Sequence, residues 1–133
     1  MKEPEIEVYM CRVSKSSPYR GIFGKIKNTL KALQGYVGGY IQVVSLTQGL
    51  VVICNEDGKN LKLPVNRAII DGHGRVYDVV VGNALVVRVD GEEFASISEE
   101  DIPLIEKYFP PARLKSGNIV EFLSAEALPE YRG

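Results

Sequence analysis

Apolar and polar positions alternate from Glu5 to Val13, with Ile6, Val8 and Met10 set against Glu5, Glu7 and Tyr9. A period of two predicts a first strand. Ser14 to Pro18 is a loop. From Arg20 the period changes: Ile22, Ile26, Leu30, Leu33 and Val37 form one stripe at helical spacing, while Lys25, Lys27, Asn28, Lys31 and Gln34 take the other faces. This predicts one long basic amphipathic helix over about 20–37 that buries Ile22, Ile26, Leu30 and Leu33 and exposes Lys27 and Lys31. Gly38-Gly39 ends it, because glycine accepts the left-handed conformation of a C-terminal cap.

Tyr40 to Leu46 reads as a strand, and Leu50 to Cys54 is a nearly continuous apolar run suited to a central strand. Asn55 to Gly58 is a turn, Leu61 to Leu63 a short extended piece, and Pro64 to Ile70 is open between strand and short helix. After the turn Asp71 to Gly74, Val76 to Val81 and Ala84 to Val89 predict a hairpin turning at Gly82-Asn83. Phe94 to Ile97 is a short strand. Ser98 to Asp101 fits a capping box that opens a last helix through Ile102, Leu104, Ile105, Tyr108 and Phe109, stopped by Pro110-Pro111. Asn118 to Leu123 adds an edge strand. The predicted fold class is α+β: a mostly antiparallel, twisted sheet with one long amphipathic helix packed on it and a shorter C-terminal helix. A length of 133 residues fits a single domain over residues 1–133.

Charge adds an asymmetry that the net value of −1 hides. Residues 1–40 carry Lys2, Arg12, Lys15, Arg20, Lys25, Lys27 and Lys31 against Glu3, Glu5 and Glu7. Residues 86–133 carry five basic and ten acidic side chains. Such faces either neutralise one another within the fold or across a homo-oligomer, or they attract an anionic ligand and a basic partner respectively. Cys11 and Cys54 lie in apolar strand-like stretches and read as buried thiols of a reduced, cytoplasmic protein, with a buried disulfide between them left open. The apolar runs are too short to span a bilayer, and Glu3, Glu5 and Glu7 interrupt any secretory apolar region, so no membrane association is expected.

Catalytic and metal signatures are missing. Gly21-Ile22-Phe23-Gly24-Lys25 resembles a phosphate loop but lacks its spacing and its Ser/Thr. As a GxxG clamp for RNA it lacks the preceding helix, and nucleic acid is not an expected partner. His73 is the single histidine and lies between two glycines of a turn, which excludes a histidine cluster. Two distant cysteines and one histidine give no metal spacing, so neither metal nor cofactor is expected. Glu56-Asp57 suits a turn, and Glu99-Glu100-Asp101 suits a first helical turn. Arg67 stands out. It follows Asn66 on a short segment that Pro64 constrains, and its fork matches carboxylate or phosphate. It either pairs with Asp71 or Asp78, or anchors an anion.

The segments Ala32 to Gln34 and Val37 to Ile41, then Val52 to Lys59, then Leu63 to Ala68, and Val81 to Ala84 resemble the domain-of-unknown-function family numbered 3846, over about residues 30–100. Gln42 stands where that family usually has an acidic residue, and Val65 where it has proline. The resemblance implies an accessory protein of a phage, plasmid or conjugative element. Two functions follow. One is non-catalytic binding of a small anionic, nucleotide-type ligand, such as a host defence signal, by Arg67, Asn66, Tyr40 and Lys59. The other is a protein-interaction module that inhibits a host defence or restriction enzyme through the acidic C-terminal half. An enzyme is the third reading, without a catalytic residue to assign.

Overall fold

The computed structural model describes residues 3–133, so Lys2 lies outside the described residues. The predicted first strand is β1 (Glu5–Cys11). The predicted long helix is two elements, β2 (Ile22–Lys27) and α1 (Leu30–Val37). β2 pairs antiparallel with β1, and the register sets Glu5 opposite Lys27 and Glu7 opposite Lys25. These opposed charges stabilise a strand pair that the helical stripe concealed. Gly24 faces β1, where an added Cβ would lie 2.8 Å from Met10 Sδ. Helix begins only at Thr29, whose side chain accepts a hydrogen bond from Ala32 N at 3.1 Å. Ile22 and Leu30, expected in the core, are therefore exposed. The C-terminal cap is as expected, with Gly38 at φ 82°.

The chain continues through β3 (Ile41–Thr47), β4 (Leu50–Asn55), β5 (Val65–Ile70), β6 (Val76–Val81), β7 (Ala84–Asp90) and β8 (Glu93–Ala95). A 3-10 turn at Glu99–Asp101 leads into α2 (Ile102–Tyr108), followed by β9 (Ala112–Ser116) and β10 (Ile119–Phe122). Ser98 and Asp101 form the predicted capping box. The main sheet is antiparallel in the order β2-β1-β7-β4-β3, with β8 on β7. β5–β6 and β9–β10 form two small antiparallel sheets.

The predicted hairpin at Gly82-Asn83 does not form. β6 pairs with β5, while β7 crosses into the main sheet between β1 and β4. β7 has a physical reason to sit there: Ala84 to Val87 is apolar on both faces and suits the centre of a sheet. One face of the sheet carries Ile6, Val8, Ile53 and Leu85 against Leu33 and Val37 of α1. The other carries Cys11, Val52 and Val86 against Ile69, Val80, Ile105 and Phe109. Among the described residues the fold is α+β and mostly antiparallel, with two short α-helices and no long amphipathic one. No helix among the described residues is long and apolar enough to cross a membrane.

Candidate functional site

Asn66 and Arg67 are buried where β5 meets the ends of β1 and β6. Arg67 is 1% exposed. Its Nη1 donates to Asn66 Oδ1 at 2.6 Å and its Nη2 to the Tyr19 carbonyl at 3.0 Å. Asn66 Nδ2 donates to the Cys11 carbonyl at 2.8 Å and the Gly82 carbonyl at 2.9 Å. Neither Asp71 nor Asp78, nor any other described carboxylate, lies within 4.0 Å of the guanidinium; those aspartates pair with Arg75 and Lys59. Carbonyl dipoles solvate this cation, in place of either partner that the sequence suggested. Close by, Tyr9 Oη donates to Glu106 Oε2 at 3.0 Å. Burial pushes up the Tyr9 phenol and the Cys11 thiol, and the charge of Arg67 opposes both shifts.

The other segments of the resemblance also close on one another. Asn55 Nδ2 donates to the Val37 carbonyl at 3.1 Å, and Asn55 Oδ1 accepts from Asp57 N at 2.8 Å. A Cβ on Gly39 would lie 2.9 Å from Asn55 Nδ2, so the strand entry can approach only as glycine. Gly82 has φ 75°, its amide donates to the Pro64 carbonyl at 2.8 Å, and an added Cβ would lie 2.7 Å from Leu63 Cδ1. These residues specify how helix, turn and strand crossing meet.

Lys59 is different. It is exposed on the turn after β4, and its Nζ reaches Asp78 Oδ1 of β6 at 2.7 Å. It borders two adjoining cavities. One, about 200 Å³, is polar and lined by Gln42, Asn60, Asp78 and the buried Cys54. The other, about 290 Å³, is apolar and lined by Val65, Leu114 and Val120. Val79 and Val81 of β6 line both. β6 pairs with β5 along one edge, and its Asp78 Oδ1 accepts from its own Val79 N at 2.8 Å. Burial pushes the Cys54 thiol up to about 11, so it is neutral near pH 7.

The four residues expected to share one pocket therefore divide. Lys59 lines the cleft; Arg67 and Asn66 are buried and line neither cavity, and Tyr40, 75% exposed, lines neither. Sequence reasoning missed Gln42, Asn60, Asp78, Leu114 and Val120. Asn60 adjoins Lys59 in sequence, and Gln42 lies opposite Cys54 in the β3–β4 register. Leu114 and Val120 reach the cleft only through the packing of β9–β10 beside β5. His73 is exposed in its turn, and both cysteines are free and buried. Among the described residues no group of three or more His, Cys, Asp or Glu side chains could hold a metal ion.

Fold and site define a small α+β sheet protein with a two-part surface cleft around one lysine. Residues 6–110 match the family described as "Domain of unknown function (DUF3846)", and the chain belongs to that family. Comparison with curated proteins and with solved structures finds no match.

Proposed function

We propose that this is a non-catalytic accessory protein of a phage or other mobile element, and that it binds a small anionic, nucleotide-type ligand in the cleft around Lys59. One observation carries the reading: Lys59 stands where a polar cavity and an apolar cavity meet. A nucleotide has the same division, with an anionic end and a flat ring. The Lys59–Asp78 pair is solvent-exposed, and such pairs contribute only about 0–1 kcal/mol. The ammonium can therefore leave Asp78 at little cost, and a phosphate that takes it over faces the carboxylates of Asp78 and Glu56 in the same cavity. Gln42 and Asn60 offer amide donors and acceptors to a base edge, and Val79, Val81 and Leu114 offer it an apolar bed. Arg67 takes no part, because its fork is spent on Asn66 and Tyr19. Neither cavity is lined by a histidine, and the one thiol is held neutral, which supports binding over covalent chemistry. Sequestration of a host defence signal in the cytoplasm is a role that such a binder would serve.

Native mass spectrometry of protein purified from producing cells tests this. A retained small anion released by Lys59→Ala supports it. A second reading, an inhibitor acting through its acidic end, draws on exposed Asp90, Glu92, Glu93, Glu99 and Glu100, where the Arg88–Asp101 pair at 2.6 Å ties β7 to the start of α2. A retained protein with no small molecule would favour that reading.

A further inference from the structure

Residues 32–55 contain no charged side chain. This stretch runs through most of α1, all of β3 and all of β4, and β3 is one end of the main sheet. Sheet edges carry unpaired N–H and C=O groups, and proteins guard them with charges, proline or short strands. The other edges here are guarded. β2, at the opposite end, carries Lys25 and Lys27, and β6 carries Asp78. β3, of sequence Ile-Gln-Val-Val-Ser-Leu-Thr, has seven residues with no charge and no proline, and its one irregularity is a bulge between Ser45 and Thr47 in its pairing with β4, which leaves Ile41 to Ser45 regular. Its surface is also apolar in part: Val43 is 46% exposed, Leu30 is 56% exposed, and Leu30 shares a cavity of about 250 Å³ with Ile41 of β3.

We propose that two copies of this chain pair through β3, antiparallel, about a two-fold axis near Val44. An isologous contact sets residue i of one copy against residue j of the other and j against i, so several charges of one sign on the strand gather about the axis and repel. β3 is the long edge free of such charges, whereas a self-paired β2 would set lysines together. Pairing satisfies the edge hydrogen bonds and brings Val43 of both copies out of water on the face that carries α1. The joined sheet then ends in two β2 strands guarded by lysine, so assembly closes at two copies. The pairing is drawn from the strand edge and not from the ligand reading, but the two meet at Gln42, which belongs to β3 and also lines the polar cavity.

Sedimentation equilibrium tests it. The expected mass is twice the 14.7 kDa of the chain. Val43→Lys and Ser45→Lys, both at exposed positions, are expected to sediment as monomers with unchanged circular dichroism. Ile22→Lys, on the opposite edge, is expected to stay dimeric. Amide exchange along β3 should quicken in both β3 variants. A monomeric wild type, a dimer that survives Ser45→Lys, or open-ended oligomers would each overturn the proposal; Ser45→Lys decides the matter if Val43→Lys fails to fold.

Discussion

The side-chain carbonyl of Asn66 accepts a hydrogen bond from the guanidinium of Arg67, its neighbour in sequence, at 2.6 Å inside the core. One polar residue thus solvates the charge of the next, while the amide of the same Asn66 holds the carbonyls of Cys11 and Gly82. The end of β1, the loop at Tyr19 and the crossing from β6 to β7 all depend on this pair.

Arg67→Ala is therefore expected to cost about 3–5 kcal/mol, since it leaves Asn66 Oδ1 and the Tyr19 carbonyl buried without their donor. Arg67→Lys should not restore the loss, because one ammonium cannot reproduce the fork. In a double-mutant cycle with Asn66→Ala, the two losses should fail to add by about 0.5–3 kcal/mol. Urea unfolding of the three variants and the double variant measures this. Near-neutral single substitutions would remove the structural role.

Leu33 and Leu30 separate the observed helix from the predicted one. Leu33 is 2% exposed and Leu30 56%. Leu33→Ala is expected to cost about 2–4 kcal/mol by leaving a cavity, and Leu30→Ala less than about 0.5 kcal/mol in monomeric protein. Chemical denaturation of a β3-edge variant with each substitution checks the ratio. Equal losses would return Leu30 to the core.

Strands β1, β3, β4, β6, β7, β8 and β10, the short C-terminal helix and the glycine cap were legible because each rests on a local signal (alternation or an apolar run, a capping box, a glycine pair), whereas β5 reads as either strand or short helix and β9, mostly exposed and polar, is not predicted. The 20–37 region misled because Ile22 and Ile26 satisfy two periods at once. They are four apart, as on a helix face, and also on one side of a strand with Gly24. The deciding facts were non-local, namely the opposed charges of Glu5, Glu7, Lys25 and Lys27. Gly82-Asn83 misled for a similar reason. Turn residues fix a local bend, and the partner of the next strand is decided by which face of β7 can be buried. Lys59 lines the cleft, as an exposed lysine on a turn can, while the burial of Arg67 was not legible, because a sequence cannot tell a buried arginine solvated by carbonyls from one that faces solvent.

Stability should depend on acid through Asp101. The hydrogen bond from Arg88 at 2.6 Å, with a smaller one from the Ser98 amide, holds its carboxyl below the ordinary 3.8. A depressed folded value stabilises the protein above the unfolded pKa, and this contribution is lost as pH falls through the folded value. Asp101→Asn is expected to be less stable than wild type near pH 6, and the gap should narrow below pH 3.8. Urea midpoints of both proteins across that range test the sign. A gap that does not change with pH would show that Asp101 acts only as a hydrogen-bond acceptor.

The most direct test of the binding account is calorimetric titration of wild type and Lys59→Ala with a panel of linear and cyclic nucleotides at fixed salt. At least one nucleotide should bind wild type. Lys59→Ala should weaken it tenfold or more, about 1.4 kcal/mol, while Lys31→Ala on the surface of α1 should bind as wild type does. Binding by no member of the panel, or equal binding by wild type and Lys59→Ala, would contradict the assignment of the cleft.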